Sequence, residues 1–153
     1  MADFLDELRA QLAGQVQRYR NRPLLKGAMA ASALVAIADG SVSFGQRVRV
    51  DQILETLEAL QVFDPHEGVN LFNAYTEAIL AAPRNGRAQA LKAIQTVAGD
   101  PATAALIIRI CVAVASVGRR MQLVEKVEVL SLCSLLGVDP EHCALDPDYD
   151  VPE

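Results

Sequence analysis

The chain has 153 residues, 52% of them hydrophobic but only 5% aromatic and none of them Trp, which fits one domain with a real core built from small aliphatic side chains. Its formal charge of −5 is unevenly spread: six of the 19 acidic residues fall between Asp139 and Glu153, where there is no Lys or Arg, so the remainder is nearly neutral. A near-neutral body with an acidic end argues against a nucleic-acid partner, and three widely spaced cysteines without a CxxC pair argue against a disulfide framework and suit a reducing compartment.

The opening "MADFLDELRA" is acidic and amphipathic and lacks the basic and apolar regions of a signal peptide. Phe4, Leu5, Leu8, Leu12 and Val16 recur at helical spacing and predict a first helix over residues 3 to about 19. Pro23 disfavours helix at Arg22, so a second helix is expected from Pro23 to Asp39, apolar nearly all round and therefore buried. Asp39-Gly40 reads as a turn. Ser43-x-x-Gln46 is a capping-box pattern that opens a third helix, with Val50, Ile53, Leu57 and Leu60 directed inward.

Asp64-Pro65 supplies an N-cap and a first-turn proline for a fourth helix, whose apolar stripe is Leu71, Phe72, Tyr75 and Ile79. Pro83 and "RNGR" are expected to interrupt the chain before a fifth helix at about 87–97. Asp100-Pro101 caps a sixth, running to about Val117, and a seventh follows from about Gln122 to Leu136. Cys111 and Cys133 sit in apolar helical context and are expected in the core. Asp139-Pro140 repeats the capping device and predicts a final turn. No stretch alternates with period two, so the fold class is all-α, and the longest apolar stretches, 27–38 and 110–117, are too short to span a bilayer. The protein is expected to be cytoplasmic. A single internal echo links "ALVAIADG" (33–40) to "CVAVASVG" (111–118), each followed by a turn and an amphipathic helix.

"KGAMAASALVAIADGSVSFGQR" (26–47), "LQVFDP" (60–65), the Asp100-Pro101 helix start and "LGVDPE" (136–141), in this order, resemble the TerB-like tellurite-resistance proteins. The resemblance covers roughly residues 23–141. It implies a bundle of about seven helices with approximate internal two-fold symmetry over residues 1–141, followed by an acidic tail, 142–153. It also implies a bacterial stress-response module without a known catalytic reaction. Its partners would be other tellurite-resistance or stress-response proteins, some of them membrane-bound, and no organic cofactor is expected. The resemblance further implies a divalent metal ion held by acidic residues after the Ala-Asp-Gly turns. Asp39 matches the acid of the first turn, but Gln46 stands where a Glu is usual. In the second copy Val117 replaces the Asp, Arg119 and Arg120 enter the turn, and Glu125 matches the second Glu if one inserted residue is allowed.

Hard divalent cations need several oxygen ligands with compensating charge. Gln46 offers a neutral oxygen, Val117 none, and the two arginines repel a cation. The candidate metal residues are therefore Asp39, Gln46, Glu125 and Glu128, in a corner that has lost half its carboxylates. Each has a simpler reading: Asp39 as a turn residue bonding nearby backbone N–H groups, and Glu125 and Glu128, three apart, as favourable charges near a helix start. Asp51, Glu55 and Glu58 read as a solvated face, and Asp146-x-Asp148-x-Asp150 fails as a calcium loop because Val151 replaces the required Gly. His66 and His142 lack metal-ligand spacing, and no nucleophile–base arrangement is visible. The basic cluster Arg18, Arg20, Arg22 and Lys26 is a candidate interaction surface for acidic partners or a membrane, against the simpler reading of a solvated helix end. Two functions follow: a non-enzymatic tellurite-resistance module with weakened metal binding, or an interaction scaffold that keeps the fold and has lost the metal.

Overall fold

Every Asp-Pro pair among the described residues opens a helical element in the computed structural model, which describes residues 2–57, 60–117 and 120–143, with backbone alone at 2, 15–19, 142 and 143. The elements are α1 (Ala2–Ala36), α2 (Phe44–Thr56), α3 (Pro65–Ala81), α4 (Pro83–Gln95), α5 (Pro101–Ala115), α6 (Leu123–Leu136) and a short 3-10 turn, Pro140–Cys143. At each pair the Asp side chain accepts the backbone N–H two residues on: His66 to Asp64 at 2.9 Å, Ala102 to Asp100 at 3.2 Å, Glu141 to Asp139 at 3.0 Å. Each bond satisfies one N–H that a helix start leaves free, and the proline removes another. No strand occurs among the described residues, and the all-α expectation holds.

Two boundaries differ most from the sequence reading. The break expected before Pro23 is absent, and α1 runs unbroken for 35 residues with Pro23 inside it. Proline there forfeits one backbone bond, but the flanking residues are held by tertiary contacts. Arg22 forms an ion pair with Glu67 of α3, and its guanidinium lies 5.6 Å from the centre of the Phe63 ring. Immediately beyond, Leu25 and Ala28–Ala31 are fully or almost fully buried. Packing thus outweighs the local breaker. The total of about seven helical elements stands, but among the described residues it consists of six α-helices and the 3-10 turn.

The second difference lies at α4, which begins at Pro83 rather than near Arg87, so that Asn85 and Gly86 are helical. Ala82 alone separates α3 from α4 (φ −147°, ψ 86°). The two helices therefore meet closely. A Cβ on Gly86 would stand 2.5 Å from the backbone of Ala78, so the glycine serves contact between helices rather than chain reversal.

The second half of α1 is the central rod. It packs against α3, α4 and α5 and, less extensively, α6. Ala28, Ala30, Ala31, Ala33 and Ala36 are all fully buried, and small side chains allow neighbours to approach from several directions. Phe72, Ile94, Ile107, Ile108 and Leu132 fill the space between rod and shell, and Cys111 and Cys133 are buried there as expected. On α2 the inward residues are Val50 and Leu54, with Ile53 only partly covered; the helix ends at Thr56, so Leu57 is its C-cap and the buried Leu60 lies in the turn beyond it. Gly137, at φ 68°, ends α6; the Val138 N–H returns to the Cys133 carbonyl at 2.9 Å, the bonding of a Schellman stop.

Candidate functional site

The turn after α1 places the start of α2 against the start of α6. Ser43 caps α2 with both bonds predicted for it: Gln46 N–H donates to Ser43 Oγ at 3.1 Å, and Ser43 N–H donates to Gln46 Oε1 at 3.0 Å. On α6 the Gln122 N–H donates to Glu125 Oε1 at 3.0 Å. Gln46 and Glu125 therefore occupy the same third position of two capped helices, the equivalence that the one-residue insertion in the echo assumes. The two meet: Gln46 Nε2 donates to Glu125 Oε2 at 3.1 Å. Both are buried, Gln46 to 2% exposure and Glu125 to 0%.

The polarity of this bond is fixed by its surroundings. Gln46 Oε1 accepts an N–H that can only donate, and Nε2 faces a carboxylate oxygen. Turning the amide over would set donor against donor at Ser43 and acceptor against acceptor at Glu125. Glu125 also sits at a helix start, where the peptide dipoles favour a carboxylate. Val117, in the place of the second acid, packs over this corner: its Cγ1 would lie 3.1 Å from a Cβ on Gly45, next to Gln46.

The remaining candidates bond elsewhere. Asp39 is exposed, and its Oδ1 accepts the Ser41 N–H at 3.2 Å within its own turn, where Gly40 takes φ 100°. Glu128 pairs with Arg87 of α4 at 2.7 Å. A divalent cation would need several oxygens converging with negative charge. Here an amide NH2 is aimed at Glu125, and among the described residues no three His, Cys, Asp or Glu side chains form a group that could hold a metal. The corner as built does not fit the cation that the resemblance implied. Glu58, Arg119 and the Asp146–Asp150 run lie outside the described residues.

Of the basic cluster, Arg20, Arg22 and Lys26 line an open cleft of about 610 Å³ between α1, α3 and α4, while the Arg18 side chain lies outside the described residues. Lys92 of α4 and Tyr75 of α3 complete its walls. The sequence reading missed Lys92, which is distant along the chain and stands on an otherwise ordinary helix end. Burial raises the Tyr75 phenol above its usual pKa, so it stays protonated at neutral pH. Among the described residues no helix is long and apolar enough to cross a membrane.

Two helix–turn–capped-helix units joined through their buried third positions define the class of domain. The family model described as "Tellurite resistance protein TerB" matches residues 26–145, and the chain belongs to that family. One similar protein is the tellurium resistance protein TerB of an Alcaligenes species, 29% identical over 102 residues that cover 67% of this chain and 84% of the relative. No solved structure matches the chain.

Proposed function

We propose that the chain is a non-enzymatic tellurite-resistance module of the cytoplasm that works through contacts with companion resistance or stress-response proteins, and that it has given up divalent-metal binding at its acidic corner. The observation that carries this reading is the buried Gln46–Glu125 hydrogen bond. It commits Glu125, the one buried carboxylate among the described residues, to joining α2 to α6, and it presents N–H where a cation would require oxygen. The family membership supplies the link to tellurite.

Titration of the purified chain with calcium, magnesium, manganese and zinc, followed by calorimetry and thermal melting, is expected to show no saturable heat and no shift at millimolar ion. Saturable binding abolished by Glu125→Gln would overturn the loss of metal and restore the first function, a weak site using Asp39, Gln46, Glu125 and Glu128. The module itself is tested by deletion in the native host. Deletion is expected to raise tellurite sensitivity, and crosslinked capture is expected to recover companion resistance proteins. Unchanged tolerance together with no companion recovered would sink the proposal.

A further inference from the structure

The cleft between α1, α3 and α4 is lined by basic side chains. Among the described residues four cations line it, Arg20, Arg22 and Lys26 from α1 and Lys92 from α4, and no acidic residue does. Arg22 is committed to Glu67 and the Phe63 ring. For Arg20, Lys26 and Lys92 the described residues hold no ion-pair partner. Three uncompensated cations around one concavity repel one another, and a multivalent anion placed among them relieves that repulsion. The cleft also has an apolar side. Pro23, Ala93 and the half-buried Tyr75 ring form part of its lining, and its volume of about 610 Å³ exceeds what an inorganic oxyanion would fill.

We infer that this cleft is a binding site for a small organic phosphate, with the phosphate dianion held by Arg20, Lys26 and Lys92 and an apolar or aromatic body set against Tyr75, Pro23 and Ala93. The Tyr75 hydroxyl, protonated at neutral pH, adds a donor rather than a competing charge. The guanidinium of Arg20 suits paired contacts to phosphate oxygens, and the two ammonium groups act as point charges. This inference does not rest on the tellurite reading, since it uses neither the corner at Gln46 nor the family's stress role.

Phenyl phosphate is the probe, added to the full chain and followed by nuclear magnetic resonance and thermal melting. The expected result is saturable binding that perturbs Tyr75 and Lys92, weakens with added salt, and is about tenfold tighter than inorganic phosphate because the ring adds buried apolar area. The double variant Lys26→Glu, Lys92→Glu should lose it, and Lys126→Glu on α6 should not. A Lys26→Gln, Lys92→Gln pair repeats the test without reversed charge, and both positions are exposed, so the fold is expected to survive. No binding of phenyl phosphate at millimolar concentration overturns the site, as does binding that persists in both double variants. Vesicles of phosphatidylglycerol separate the sources of phosphate. Vesicle binding displaced by phenyl phosphate supports the cleft and shows that a lipid headgroup can fill it; vesicle binding without any response to phenyl phosphate overturns the inference in favour of a membrane surface.

Discussion

Gln46 and Glu125, 79 positions apart in the chain, share a buried hydrogen bond of 3.1 Å at matching positions of two capped helices. The bond joins the two halves of the sequence echo through the side chains that the echo predicts to be equivalent. Its asymmetry, amide against carboxylate, lets both be buried together. Two carboxylates in the same place would repel unless a proton or a cation stood between them.

Gln46→Glu is therefore expected to lower stability by about 2–4 kcal/mol at pH 7 with chelator present. Mutual repulsion raises the folded pKa of the pair above its unfolded value. The variant should approach the native chain in acid and fall away from it as pH rises through that raised value. Chemical denaturation across this range measures the effect, and a variant as stable as the native chain at pH 7 would contradict the assigned geometry.

Gly86→Ala tests the contact between α3 and α4 by the sign of its effect. In an unobstructed helix, alanine is favoured over glycine by about 1 kcal/mol. Here the new Cβ would meet the Ala78 backbone at 2.5 Å, and separating two packed helices costs about 1–3 kcal/mol. Thermal melting should show net destabilisation, and a rise in Tm would mean that the helices are less close than described.

Ser32 is fully buried on α1, and its hydroxyl has no hydrogen-bond partner among the described residues. Ser32→Ala removes an unsatisfied polar atom and improves helix propensity, so it should stabilise the chain by about 1 kcal/mol. A loss of stability, read from the denaturation midpoint, would indicate that the hydroxyl is satisfied.

Asp100 governs the start of α5. The Thr103 hydroxyl, first, and the Ala102 N–H hold its carboxyl below the usual aspartate value of 3.8. A folded pKa below the unfolded one gives stability that is present above the unfolded value and lost as pH falls through the folded value. Asp100→Asn keeps a capping oxygen and removes the charge, so the gap in Tm between native and variant chains should be open at pH 6 and close in acid. A gap independent of pH would assign the effect to hydrogen bonding alone.

Much of the fold was legible because its signals are local. Ser43 and Gln46, and Asp64, Asp100 and Asp139 with their prolines, act within three residues of one another, and each fixes a helix start wherever the rest of the chain goes. Pro23 misled for the opposite reason. Its local preference is to end a helix, and the Arg22–Glu67 and Arg22–Phe63 contacts that hold the chain helical come from residues more than forty positions away. Gly86 misled similarly, since its role depends on the distance to Ala78 in space. At the candidate site, the resemblance singled out Gln46, Val117 and Glu125, but only the folded chain shows Gln46 bonded to Glu125 and Asp39 turned into its own loop. The cleft needed Lys92, on α4, beside Lys26, on α1, a proximity that no spacing along the chain encodes.

The continuity of α1 separates the inherited unit from the mechanical one. The stretch by which the family is recognised begins at residue 26, inside a helix that starts at Ala2. At 1.5 Å per residue the whole helix is about 52 Å long. A chain trimmed to the family boundary would start in mid-helix, without the Arg22 anchor on α3 and without the Arg20 side of the cleft. The helix before residue 26 is an arm continuous with the buried central rod, so that a pull at the arm's exposed Phe4, Leu5 and Leu8 would be carried along one helix into the core.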